Sequence, residues 1–119
     1  MSALGSKLRR LEGGRVAFMC PGCDGPHMLR VEGEGSPRWG FNGDGDRPTF
    51  TPSILARGEE WTPPVTAENL AEWERAPWPQ TKVDTVCHSF VTGGRIQFLA
   101  DCTHALAGQT VDLPDWDSA

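Results

Sequence analysis

Four cysteines carry the most specific chemistry in this chain. Two form one tight pair, Cys20-Pro21-Gly22-Cys23, and two stand alone, Cys87 and Cys102. A C-x₂-C turn presents two sulfurs from a single knuckle, and a distant element completes a tetrahedral Zn²⁺ site. The spacing predicts one zinc held by Cys20, Cys23, Cys87 and Cys102, with His104 as the substitute ligand. His27 and His88 are the weaker candidates. Four sulfurs would close the coordination sphere, so the ion is structural and cannot activate water. Only if one sulfur were not a ligand would Asp101, His104 and His88 become acid–base candidates around a hydrolytic zinc. Asp101 otherwise reads as a strand-end or capping carboxylate.

The elements that must position these residues read as short strands. Arg15–Met19 leads into the knuckle, and His27–Val31 pairs back across the Cys20–Pro26 turn. Trp39 and Phe41 alternate around Gly40 and end in the turn-rich run 42–46. Residues 48–55 are extended, with Pro48 and Pro52 confining them to an edge or an irregular crossing. Val83–Thr92 and Arg95–Asp101 form a hairpin whose Gly93-Gly94 loop supplies the positive φ of a primed turn. Its register sets Val91 against Ile96, Ser89 against Phe98 and Cys87 against Ala100. Alternation then places Cys87, Ser89, Val91, Ile96, Phe98 and Cys102 on one face and His88 on the other. Cys87 and Cys102 become diagonal neighbours, about 7–8 Å or less between Cβ atoms. Thr110–Leu113 is a last strand.

The expected fold is therefore mostly β, with a minor α component. It is a small antiparallel sheet whose zinc knuckle is tied to a hairpin, in one domain spanning 1–119. Residues 1–14 read as a polar arm. Residues 57–82 read as a Trp/Pro-rich insertion with one short helix, Ala67–Arg75, capped by Thr66.

Competing readings of the same residues are weaker. Cys20–Cys23 resembles a redox pair, but Asp24-Gly25-Pro26-His27 is a poor helix start for lowering a thiol pKa. No His is followed two residues later by Glu, which removes the zinc deaminases. No H-E-x-x-H, G-x-S-x-G or P-loop occurs. Asn42-Gly43-Asp44-Gly45-Asp46 begins like a Ca²⁺ loop, but Arg47 takes the Gly position and Ser53 the final carboxylate position. It reads as a solvated turn.

Composition bounds the partners. A net charge of −5 and no dense Lys/Arg cluster argue against nucleic acid. No run approaches a membrane span, and the first residues lack the apolar stretch of a secretion signal. The expected setting is a reducing bacterial cytoplasm or a virion, where cysteines bind metal more often than they form disulfides.

The knuckle, the segment Trp39–Asp44 with Pro48–Ile54, and the run Cys87–Val91, Gly94–Leu99, Asp101–Val111 together resemble a family of small phage and prophage proteins. Its members often carry the label ammonia monooxygenase, which a small acidic chain cannot be. Relatives of that family stand beside bacterial ubiquitin-like conjugation genes. The resemblance implies a metal-binding Cys/His domain in a phage setting, with a role around protein modification or defence.

The function expected from all this is a small zinc protein that binds another protein or serves as an accessory component, leaning away from catalysis. A zinc-dependent hydrolase or peptidase linked to protein modification is the alternative. Trp61, Trp73 and Trp78 in the insertion mark the candidate partner surface, since Trp is enriched at interface hot spots.

Overall fold

The computed structural model describes residues 2–118. Strands β1 (Ser2–Leu4), β2 (Leu8–Leu11), β3 (Arg15–Cys20) and β4 (Gly25–Arg30) form one antiparallel meander. A second antiparallel sheet runs β5 (Gly40–Phe41), β6 (Phe50–Thr62), β7 (Thr81–Thr92), β8 (Arg95–Phe98) and β9 (Thr110–Asp112) in that order. Each sheet is apolar on one face, and the two faces close on a shared core. The first contributes Leu8, Val16, Phe18, Cys20 and Leu29; the second contributes Phe50, Ile54, Cys87, Val91, Ile96 and Phe98. Phe18 and Phe50 stack across the interface at 6.1 Å between ring centroids. The mostly β expectation holds, with two packed sheets in place of one.

The hairpin register agrees with the sequence reading: Ser89 pairs with Phe98, Phe90 with Gln97 and Val91 with Ile96. Gly93 and Gly94 both have positive φ, 58° and 82°. That twist matches the flanking strands, which is why two residues without Cβ close this loop. However, β8 ends at Phe98, so Ala100 never pairs with Cys87 and the chain turns away.

Three boundaries differ from the sequence reading. Residues 1–14 are not an arm: they supply β1 and β2, and Leu8 is fully buried opposite Phe18. Their Lys and Arg side chains masked this, because these residues point outward or snorkel to Asp115 and Asp117. The insertion is narrower than 57–82, because β6 and β7 continue as a paired ribbon from Arg57↔Val86 to Thr62↔Thr81. The ribbon is solvated on both sides, so no apolar alternation betrayed it. The helix (α1) spans only Leu70–Arg75, with Asn69 as its N-cap residue. Thr66 instead donates its backbone N–H to Asn69 Oδ1. Of the three indoles, Trp61 is 55% exposed, beneath Lys82, while Trp73 and Trp78 are half-buried and bonded to backbone carbonyls.

This packing makes unequal demands on the aromatic residues. Phe18→Ala should lower unfolding stability by about 3–5 kcal/mol, because it empties a site between both sheets. Trp61→Ala should change stability by only about 0.5 kcal/mol, as exposed side chains do. Denaturant midpoints of the two variants check this.

Candidate active site and metal centre

The cysteine knuckle forms at the β3–β4 turn. In that hairpin Phe18 pairs with His27 and Cys20 with Gly25, so His27 shares the inward face of Phe18 and Cys20. Across the core, Cys87 points inward from β7. Ligand atoms of Cys20, Cys23, His27 and Cys87 all lie within 4.8 Å of one another. Cys87 belongs to a second group with Cys102 and His104.

The chemistry of the first group fits a tetrahedral metal. Cys20 and Cys87 sulfurs stand 3.8 Å apart, the edge of a tetrahedron with metal–sulfur bonds of about 2.3 Å. His27 Nε2 is buried without a hydrogen-bond partner among the described residues. An imidazole nitrogen left so is costly unless it has a ligand role. The thiols also perturb one another. The hydrogen bond from Cys87, helped by His27, draws Cys20 down to about 4. Cys23, although its residue is exposed, is pushed up to about 11, first by partial desolvation of its thiol and then by the neighbouring Cys20. Cys87 is raised, first by that same bond to Cys20 and then by burial. Three sulfurs this close cannot all ionise unaided, and a bound cation would resolve the conflict.

Cys102 and His104 sit differently. Cys102 Sγ lies 3.2 Å from both the backbone N and the carbonyl O of His88. His104 accepts the Leu106 N–H at Nδ1, which leaves a neutral ring's proton on Nε2. Like His27 Nε2, His104 Nε2 is buried without a hydrogen-bond partner among the described residues. Its ring packs edge-on against Phe98 at 4.4 Å and lies over Gly22, where a Cβ would come within 2.4 Å of it. Glycine is therefore required in the knuckle.

The outward face of the same sheet carries a second constellation. Leu55 pairs with His88, so His88 shares a face with Leu55 and, by alternation, with Ser53. Between Phe50 and Ile54 the β6–β7 register shifts, leaving residues 51–53 unpaired with β7. Ser53 Oγ lies 3.1 Å from His88 Nε2, and His88 Nδ1 lies 3.2 Å from Asp101 Oδ2. The Trp39 indole N–H donates to the Ser53 carbonyl at 3.3 Å and steadies the irregular stretch. Hydroxyl, imidazole and carboxylate thus form one line, the arrangement of a nucleophile, its base and the base's orienter. His88 is about one-quarter exposed and Asp101 more than half, so solvent reaches the line. Leu55 and Phe90 flank it, 46% and 41% exposed.

Sequence reasoning placed His88 on the correct face but saw no partner for it there. Ser53 was invisible as a functional residue because its approach depends on long-range pairing and on the register shift. Sequence reasoning names Asp101 with His88 only as an acid–base candidate around a zinc; its approach to His88 comes from the Leu99–Cys102 turn, which strand alternation does not foretell. The loop 42–46 spends its side-chain oxygens on backbone amides: Asn42 Oδ1 on Asp44 and Thr49, Asp44 Oδ1 on Asp46 and Arg47. It is a self-bonded turn, as its sequence implies.

Residues 5–99 match the profile of a family described as Bacterial ubiquitination-like system serine protease (BubE). The match covers more than half of the chain. It includes Ser53, His88, Cys20, Cys23, His27 and Cys87, and ends two residues before Asp101. The description is of a bacterial family and names no phage. No curated protein and no solved structure matches the chain. Among the described residues, no helix is long and apolar enough to cross a membrane.

The cluster geometry sets a metal prediction. Protein purified without a metal-affinity tag should hold one Zn²⁺ per chain, released as pH falls, because protons compete for the thiolates and the imidazole. Cys87→Ser and His27→Ala should lose the metal and melt at lower temperature, whereas His88→Ala should keep it. Elemental analysis and thermal melts of the three variants decide this.

Proposed function

The chain belongs to the BubE family, and we propose that it is a serine protease with Ser53 as nucleophile, His88 as general base and Asp101 as the carboxylate that orients the imidazole. The observation that carries this reading is the hydrogen-bonded line from Ser53 Oγ through both His88 nitrogens to Asp101. The family description supports it independently, since it names a serine protease.

The residues divide the chemistry as follows. Ser53 Oγ bonds to the carbonyl carbon of a substrate amide as its proton passes to His88 Nε2. The carbon–nitrogen bond then breaks, and Nε2 gives that proton to the departing nitrogen. An ester to Ser53 remains. Water attacks the ester carbon, its proton goes to Nε2, and the acid leaves as Ser53 recovers its proton. Asp101 holds Nδ1 protonated and stabilises the imidazolium without taking the proton itself. Leu55 and Phe90 frame the nucleophile and suit the apolar side chains of a polypeptide lying across β6 and β7. Trp61, farther along β6, extends that surface for a protein partner.

The metal reading becomes structural in this scheme. Cys20, Cys23, His27 and Cys87 would hold a zinc with no open position, and such an ion supplies a cross-link between the sheets. Cys102, expected in that set from the hairpin parity, lies with Cys87 and His104 in the second group, and His27 is taken as the fourth ligand. The substance of the proposal is therefore an enzyme, where the sequence leaned toward a binding component and held a zinc hydrolase as the alternative. Hydrolysis passes to Ser53, and the zinc is kept for stability.

A fluorophosphonate probe tests the triad directly. Wild-type protein should be modified at Ser53, and Ser53→Ala and His88→Ala should abolish the reaction while retaining metal and fold. Asp101→Asn should slow it by on the order of 10³–10⁴-fold, as loss of the orienting carboxylate does. Labelling that persists in Ser53→Ala would refute the assignment.

A further inference from the structure

Resting on the triad reading, we infer that Cys102 is a positioning residue for the catalytic base, clamping the backbone of His88 through its thiol. The clamp occupies a gap in the sheet ladder. Leu99 N–H donates to the His88 carbonyl at 2.9 Å, as the next rung of the β7–β8 ladder should. The returning rung would run from His88 N–H to the Leu99 carbonyl. That carbonyl is taken instead by the Cys102 N–H at 3.2 Å, in the tight turn that ends the hairpin. The orphaned His88 N–H finds the Cys102 sulfur, 3.2 Å away. The same sulfur faces the His88 carbonyl oxygen at 3.2 Å.

A thiolate beside a carbonyl oxygen at that distance would repel it. A thiol satisfies both contacts, donating S–H to the oxygen and accepting the N–H. Both contacts are made beside the group of Cys20, Cys23, His27 and Cys87, with Cys102 itself standing within 4.8 Å of Cys87 and His104.

The clamp explains how Asp101 is held. The turn from Leu99 to Cys102 projects the Asp101 carboxylate toward His88 Nδ1, and the Cys102 side chain pins that turn to the backbone of the residue it serves. Thr103 adds a further tie, its N–H donating to the Val86 carbonyl at 2.9 Å and its Oγ1 accepting the Val86 N–H at 2.9 Å. Without the sulfur, the His88 N–H is left unpaired and the turn loses its link at the position where carboxylate and imidazole must align.

The test pairs Cys102→Ala with Cys102→Ser and uses the fluorophosphonate probe. In Cys102→Ala the maximal rate of Ser53 modification should fall by on the order of 10²-fold, as misplacement of a catalytic group does. The probe's apparent binding constant and the zinc content should stay at wild-type values. Cys102→Ser, whose hydroxyl also donates and accepts, should recover most of the rate. Metal loss from both variants would overturn the inference by making Cys102 a ligand, and so would an undiminished rate in Cys102→Ala. If wild-type protein failed to react with the probe, the triad reading would fall while the clamp stayed testable by amide exchange. His88 N–H should exchange faster in Cys102→Ala, with Val91 N–H unchanged as the sign of an intact fold. Equal His88 exchange rates would refute the clamp.

Discussion

Neighbouring side chains on a strand leave opposite faces of the sheet, and at Cys87–His88 this alternation separates two chemistries by one peptide unit. Cys87 points into the core toward the knuckle. His88 points outward toward Ser53 and Asp101. Strand β7 is therefore the backbone on which the proposed metal centre and the proposed catalytic line both depend. A metal ion joining Cys87 to β3 and β4 would fix the depth and twist of β7 against the first sheet, and the His88 ring would inherit that placement. A proton-transfer line with contacts of 3.1 and 3.2 Å tolerates little drift. A domain with a small core gains from an inter-sheet bond here, where looseness would cost most.

Much of this arrangement was legible in the residues. Gly93-Gly94 announces the hairpin, and alternation from it puts Cys87 inward and His88 outward without any knowledge of the rest. The same rule applied to the β3–β4 turn would have brought His27 to the face of Cys20, since Phe18 and His27 pair. What the hairpin could not reveal was the end of β8. The parity that set Cys102 beside Cys87 assumed an extended strand; it is the turn at Leu99–Cys102 that brings the sulfur within 4.8 Å of Cys87, alongside His104. Ser53 was harder still. Its partner lies on a strand separated from it by the ribbon and helix, and the register shift beside it obeys no local pattern. The polar start of the chain misled for a different reason: one fully buried leucine, Leu8, was enough to recruit it into a sheet otherwise edged with charge.

The two faces of the second sheet also divide labour in a way that bears on evolvability. Residues facing the core are constrained by packing and by the knuckle, whereas Ser53, Leu55, Phe90 and Asp101 reach solvent. In the proposed protease, specificity could change on that outer face without disturbing the cysteine–histidine group behind it. The exposed Cys23 is the exception, because it opens the metal group to a cleft of about 450 Å³ lined also by Arg57, Glu60 and Thr85.

The β6–β7 ribbon gives the molecule an elongated outline, 51 Å in its longest dimension against 30 and 29 Å in the others. Its radius of gyration is 16.5 Å, where a compact chain of this length would have about 13.5 Å. Such a particle drags more water than a sphere of equal mass and diffuses more slowly. On a sizing column calibrated with globular standards, a single copy will elute ahead of its 13.0 kDa position. An early peak is therefore the hydrodynamic signature of the ribbon, and counting subunits requires a measure of mass that is blind to shape, such as light scattering.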